Sequence, residues 1–275
     1  MQVSMVMIGK KMKNLIKKFL TLLTLSSILL PQFSLAANTY TVDLERGSSQ
    51  YFTAADSADL SQTGSQTWQF WINFESEPTD GQEFHIFNHQ AAGQQAFRLL
   101  YQNNAADLEF TGFISSDCTN VTEFHNNFDP TVDTWYHVAF VYSTAGTLEF
   151  FLNGVSQNST AGLPTSMCDS TQTFYIGARN DGSNTFDGKI DDLRIYSIAR
   201  TGTQILADDD CELSTYTSLV GYWQFNNAAT EVAGVGANTN NLTEVNTPTY
   251  QSASLPFTGD CGGGVLPHPL WWTPF

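Results

Sequence analysis

Phe186-Asp187-Gly188-Lys189-Ile190-Asp191-Asp192-Leu193-Arg194-Ile195-Tyr196-Ser197-Ile198-Ala199-Arg200 is the stretch that decides the fold. Within it Asp191, Leu193 and Ile195 alternate with Asp192 and Arg194, the period of two that marks a half-buried strand. That alternation puts Asp191 on the core side with Leu193 and Ile195. A carboxylate there must be hydrogen-bonded or metal-bound to offset its desolvation.

Working outward, the same period recurs. Trp68-Gln69-Phe70-Trp71-Ile72-Asn73 and Asp133-Thr134-Trp135-Tyr136-His137-Val138-Ala139-Phe140-Val141-Tyr142 read as strands, and Leu148-Glu149-Phe150-Phe151-Leu152 as another. Alternation sends Trp68, Phe70, Ile72, Tyr136, Val138, Phe140, Phe150 and Leu152 to the core. It sends Trp71, His137 and Phe151 to the opposite face. Asn153-Gly154 supplies the two positive-φ residues of a type I′ hairpin turn.

These segments, in this order and joined by Phe174-Tyr175-Ile176-Gly177, resemble a laminin-G-like (concanavalin A-like) domain over roughly residues 40–205. The resemblance implies an all-β, antiparallel two-sheet jelly-roll sandwich. It implies a recognition or adhesion module that binds carbohydrate and is not an enzyme. If the outer face is open, Trp71, His137 and Phe151 are its candidate sugar platform, because sugar C–H faces stack on aromatic rings. Relatives of this kind hold calcium near the last strand through an Asp and a Gly/Asn-rich loop. Here that implies a structural Ca2+ at Asp191, Asp192 and Asn241, with Asn238 and Asn240 nearby. Val232–Ala237 lacks the Asp usual before that loop, and Asp191 capping backbone amides is the alternative.

Catalysis finds little support. Glycosidases with a related sandwich place carboxylates as Glu-x-Asp-x-x-Glu on one strand, so that acid and nucleophile flank one bond. No such run occurs, which leaves a glycoside hydrolase as a remote alternative. His85 and His89 lie in a strand-like run, on one face about 13 Å apart at ~3.3 Å per residue, too far to share a metal.

After Arg200 a helical turn is expected at Thr201–Ala207, then strand-like Leu219–Asn226, with Asn240–Thr243 and Pro256-Phe257 continuing the pattern. About 50 residues are too few for a second sandwich. They belong to the edge of one domain spanning 37–261. Gly262-Gly263-Gly264 hinges an apolar tail, 262–275, which could engage a neighbour. That makes a structural assembly subunit, with self-assembly through the tail, the second functional reading.

Residues 1–36 read as a secretory signal peptide. Lys10, Lys11, Lys13, Lys17 and Lys18 precede a short apolar run, Phe19 to Leu30, and Ser34-Leu35-Ala36 has the small-x-small form of a cleavage site. The run is shorter than the ~20 residues needed to span a bilayer. A secreted or cell-surface protein is expected, with an extracellular glycan or glycoprotein as partner. After Ala36 only six cations (Arg46, Arg98, Arg179, Lys189, Arg194, Arg200) stand against all 27 acidic residues, six minus 27 or −21. Nucleic acid is therefore an improbable partner, since affinity for polyanions depends on Lys and Arg.

Four cysteines after the signal fit an oxidising compartment. Three pairings are possible, and the sequential pairs Cys118–Cys168 and Cys211–Cys261 are favoured as staples of loops beside neighbouring strands. The absence of Cys-x-x-Cys spacing argues against zinc. Asn120, Asn158 and Asn241 begin Asn-x-Ser/Thr sequons, which matter only in a host that glycosylates them.

Overall fold

Alternating apolar side chains cannot be buried by one sheet alone, and this chain buries them by facing two antiparallel sheets together. The computed structural model describes residues 40–252 other than 92, 93, 210 and 214. The expected signal peptide, Cys261, Pro256-Phe257 and the 262–275 tail lie outside the described residues.

In chain order the strands are β1 (Tyr40–Leu44), β2 (Tyr51–Ala54), β3 (Gln66–Phe74), β4 (Glu83–Ala91), β5 (Gln94–Asn104), β6 (Asp107–Ile114), β7 (Thr122–Asn127) and β8 (Trp135–Ser143). There follow β9 (Thr147–Leu152), β10 (Val155–Ala161), β11 (Phe174–Ile176), β12 (Gly188–Tyr196), the helical turn α1 (Gly202–Leu206), β13 (Leu219–Trp223), β14 (Thr243–Val245) and β15 (Thr249–Ser252). One sheet has eight strands in the order β10-β9-β8-β3-β12-β1-β15, with β13 also on β12. The other has seven, in the order β14-β2-β11-β4-β5-β6-β7. The late strands β14 and β15 form an edge of each sheet, and β13 extends the first beside β12.

The core lies where the inner faces meet. Trp68, Phe70, Ile72, Tyr136, Val138, Phe140 and Phe150 are all buried in it, with Leu152 packed against it. Rings interlock across the interface: Trp68 stacks on Phe97 at 4.2 Å, and Phe110 meets Phe140 edge-on at 5.2 Å. Each fully buried side chain of this size stabilises by about 1.5–3 kcal/mol relative to exposure. A gap between the sheets beside Trp68, His89 and Met167 holds about 10 Å3, the room of about one water.

The turn after β9 is as expected, with Asn153 at φ 48° and Gly154 at φ 73°. Gly188, which opens β12, has φ 144° and lies so close to β3 that a Cβ would sit 2.1 Å from the Asn73 carbonyl oxygen. No other residue fits there.

Two bulges correct the alternation read from sequence. In β12, Asp191 pairs with Trp71 but Arg194 pairs with Gln69, so one extra residue is inserted. Asp192 absorbs it at φ 49°. Ile190, Leu193 and Ile195 stay in the core, whereas Asp191 shares the outer face with Trp71. In β4 a register shift between His85 and Phe87 sends His85 to the outer face, opposite Leu100, while His89 pairs with core residue Phe97. The two histidines therefore face opposite ways.

Cys118 and Cys168 form the expected disulfide, closing a loop with a sequence separation of 50 and a Cα–Cα distance of 5.2 Å. A loop of that length is worth about 4 kcal/mol in the chain-entropy model. Cys211 is also disulfide-bonded.

Candidate functional site

The sugar platform expected on the eight-stranded sheet is sealed. Trp71 is 6%, His137 1% and Phe151 4% exposed. The cover is the segment after β12. Thr201 caps α1 through a capping box with Gln204, which presents Ile205 to the sheet. Ile205 packs on Ala139, Val141 and Phe151. Trp71 Nε1 donates to the Asp209 carbonyl at 2.7 Å, and Trp71 meets His137 edge-on at 5.5 Å. Thr67 donates to the Ile198 carbonyl at 2.8 Å. The three residues are interior packing under a flap, not a ligand surface. The helical turn at Thr201–Ala207 was visible in the sequence, but not where that turn docks.

Arg194 ties the flap down. Its Nη1 donates to the Asp208 carbonyl at 2.6 Å, and its Nη2 reaches the Cys211 carbonyl and the Asp192 carboxylate. Asp208 in turn takes Arg200 at 2.5 Å and the Tyr196 hydroxyl at 3.1 Å.

The expected calcium ligands have separate partners. Asp191 Oδ1 accepts the Asp192 backbone N–H at 2.8 Å, which is the amide-capping alternative. Asp192 Oδ1 accepts from the Tyr222 hydroxyl at 2.7 Å and its other oxygen pairs with Arg194. Burial pushes the Asp192 carboxyl up to about 6 although Arg194 opposes the shift. Asn241 Oδ1 accepts the Glu231 backbone N–H at 3.1 Å. The asparagine-rich loop is held by protein carboxylates: Asp59 Oδ2 takes the backbone N–H groups of Ala237 and Asn238, and Glu231 takes Asn240. A guanidinium stands where a cation was expected. Among the described residues the carboxylates that do gather are Asp43, Glu45 and Glu75, within 4.8 Å of one another, and Lys189 is paired with Glu75 beside them.

The outer face of the other sheet is partly open, and alternation in β5 and β6 leaves a polar set there outside the core. Cross-strand register lines it up in rows. One row runs Thr53, Tyr175, Asn88, Arg98, Phe113, Glu123 across six strands. The next is His85, Leu100, Thr111, His125, and the third Glu83, Gln102, Glu109, Asn127. Asn88, His85, Leu100, Thr111 and Glu109 are buried within these rows, Thr53, Tyr175, Arg98, Phe113, Gln102 and Glu83 are half-buried, and Glu123, His125 and Asn127 are exposed. Arg179, in the β11–β12 connection, is exposed as well.

Hydrogen bonds preorganise this face. His85 Nε2 lies 3.1 Å from Glu83, which also accepts from Asn184 at 3.0 Å. The bond from His85 holds the Glu83 carboxyl below the usual range, and burial holds the His85 imidazole below its own. Glu109 is buried, yet bonds from Gln102, His125 and Thr111 outweigh that burial and keep its carboxyl low. Arg98 lies over the Phe113 ring, 3.5 Å from its centroid. Among the described residues its buried Nε has no hydrogen-bond acceptor. An orphaned buried donor costs about 1–3 kcal/mol.

The profile of the concanavalin A-like lectin/glucanases superfamily matches residues 46–206. Among solved structures, a candidate carbohydrate-binding protein from Bacteroides ovatus is similar at 16% identity and TM-score 0.61, over 80% of this chain and 61% of that one. A heptameric serum-amyloid-P-like pentraxin from Limulus polyphemus is similar at 12% identity and TM-score 0.55, over 80% of this chain and 98% of that one. The chain therefore spans less than two thirds of the Bacteroides protein's length. No curated protein matches the chain.

Proposed function

The chain belongs to the concanavalin A-like lectin/glucanases superfamily, and from that premise we propose that it is a secreted or cell-surface, non-catalytic module that binds the carbohydrate of an extracellular glycan or glycoprotein. The observation that carries this reading is the asymmetry of the two outer faces. One is sealed by α1 and its flanks. The other presents the half-buried Tyr175, Arg98 and Phe113 in a single cross-strand row that passes through the buried Asn88. Aromatic rings for sugar C–H faces stand there beside hydroxyl and guanidinium donors for sugar oxygens.

The glycosidase alternative is weaker on the same face. A general acid for glycoside cleavage needs a raised carboxyl pKa. Glu83 and Glu109, the carboxylates at its centre, are both held low by hydrogen bonds. The assembly reading rests on the 262–275 tail, outside the described residues. Among the described residues no helix is long and apolar enough to cross a membrane.

The test is binding of the full chain to a broad panel of immobilised glycans. Binding to at least one glycan class, with no cleavage of it, is expected. No binding to any class would overturn the proposal.

A further inference from the structure

We propose that Glu83, Gln102 and Glu109 form an acceptor strip that selects hydrogen-bond donors without negative charge, the hydroxyl groups of an uncharged sugar or the ammonium of an amino sugar, and rejects anionic sugars. This rests on the reading of the outer face of the seven-stranded sheet as the glycan site, and names the class of sugar it takes.

Register puts the three side chains in one row, with Glu83 on β4 and Glu109 on β6 each opposite Gln102 on β5. At ~4.8 Å between neighbouring strands the row is about 10 Å across, a length on the scale of a sugar residue. The hydrogen bonds within it are one-sided. Glu109 Oε1 takes Gln102 Nε2 at 2.9 Å, Thr111 Oγ1 at 3.1 Å and His125 Nδ1 at 3.0 Å, whereas Oε2 accepts nothing from the described residues. Glu83 repeats the pattern, since Oε2 takes His85 Nε2 at 3.1 Å and Asn184 Nδ2 at 3.0 Å, and Oε1 accepts nothing from the described residues. Gln102 directs Nε2 to Glu109 and, at 2.8 Å, to Thr111, which leaves its Oε1 without a donor among them. Donation to a carboxylate fixes which end of that amide is nitrogen.

These oxygens are not sealed. The Glu109 side chain is only 7% exposed, yet the side-chain atoms that lie buried without a partner do not include Glu109 Oε2, Glu83 Oε1 or Gln102 Oε1. Glu109 Oε2 therefore meets solvent with no protein donor on it. Glu109, despite its burial, and Glu83, through its bond from His85, keep their carboxyls below the usual range. They accept hydrogen bonds and do not donate them.

Three unfilled acceptors in a row are complementary to a ligand that supplies donors. Hydroxyl groups on adjacent ring carbons do so, as does an ammonium, and bonds to an ionised acceptor are roughly twice as strong as neutral ones. A ligand carboxylate or sulfate brings further acceptors and a like charge instead. Arg98 lies four residues from Gln102 along β5, about 13 Å at ~3.3 Å per residue, so it faces a different part of the ligand.

The test titrates glucose, galactose and mannose, with their amino-sugar and uronate counterparts, into the full chain by NMR. At least one neutral or amino sugar is expected to bind about tenfold or more tightly than its uronate, the scale of one hydrogen bond to a charged group. A tighter amino sugar assigns the ammonium as the donor, and an equal or weaker one assigns the hydroxyls. In Glu109→Gln and in Glu83→Gln the existing donors hold the amide oxygen and turn its NH2 group to the open position, so that an acceptor becomes a donor. Each substitution is expected to remove most of the discrimination, and Glu83→Gln, at a half-buried position, serves if Glu109→Gln does not fold. The acidity of the whole chain, screened beyond about 8 Å, does not produce a change that depends on one carboxylate. A uronate that binds as tightly as its parent, discrimination unchanged in both variants, or no binding of these sugars where the glycan panel shows binding, would overturn this inference and leave the glycan-binding reading standing. No binding here and none on the panel would overturn both.

Discussion

Arg194 and Asp192 form an ion pair across the one-residue bulge in β12, and both side chains are completely buried. The guanidinium also reaches the carbonyls of Asp208 and Cys211, so a single side chain joins the sheet to the flap that covers it. A bulge that looks like a local irregularity therefore closes one whole face of the sandwich.

Removing one partner of a buried pair leaves the other charge without compensation. Arg194→Leu is expected to lower the unfolding free energy by about 3–5 kcal/mol. The double change Arg194→Leu with Asp192→Leu is expected to recover much of that loss. Urea denaturation of the three proteins measures it, and a double variant as unstable as the single one would contradict the pairing.

Ile205→Ala removes the apolar contact of α1 with Ala139, Val141 and Phe151. A cost of about 2–5 kcal/mol is expected from the lost packing. Trp71 fluorescence is expected to shift to the red as water reaches the ring. Glycan affinity is expected to be unchanged, because the binding face is on the other sheet. A parallel loss of affinity would place ligand on the sealed face instead.

Burial holds the imidazoles of His85 and His89 below their ordinary value. The unfolded chain takes up these protons near pH 6.5 while the folded one does not. Their contribution to stability is therefore complete above about pH 6.5 and is lost as pH falls toward the folded values, by up to about 1.4 kcal/mol per group per pH unit. His89 Nε2 donates to the Gln172 carbonyl at 2.8 Å, a bond that glutamine can imitate. Between pH 7.5 and 5.5 the wild type is expected to lose stability relative to His89→Gln. The raised Asp192 carboxyl works in the opposite direction in both proteins, so it cancels in the difference.

With Arg194 on Asp192, and Lys189 on Glu75 beside Asp43, both groups of acids already hold a protein cation. The melting temperature is expected to be the same in chelator and in millimolar calcium. A rise in calcium that Asp43→Asn abolishes would show that the metal displaces Lys189 from the Asp43, Glu45 and Glu75 group. A rise abolished by Asp191→Ala would restore the ligand set read from sequence.

The sandwich was legible because its signal is local. Trp68, Phe70 and Ile72 alternate within one strand, and that period is the same whatever the strand pairs with. Bulges break the inference at single residues: Asp191 reads as core until Asp192 takes a positive φ, and His85 reads as aligned with His89 until the shift beside Phe87. The face that Trp71, His137 and Phe151 share was read correctly. Its covering was not, since nothing within a strand records which distant segment docks on it. The row Tyr175, Asn88, Arg98, Phe113 joins the distant β11 to the consecutive β4, β5 and β6, in a register that a bulge in β4 resets. Its one local trace is the alternation of Arg98, Leu100 and Gln102 with the core residues Phe97, Leu99 and Tyr101.

The central claim is that ligand binds the outer face of the seven-stranded sheet, and amide and aromatic NMR shifts on titration with a glycan identified from the panel test it most directly. Shifts concentrated at Tyr175, Asn88, Arg98 and Phe113, with Trp71, His137 and Phe151 unmoved, are the predicted result. Shifts at Trp71, His137 and Phe151 with the Arg98 row unmoved would contradict it.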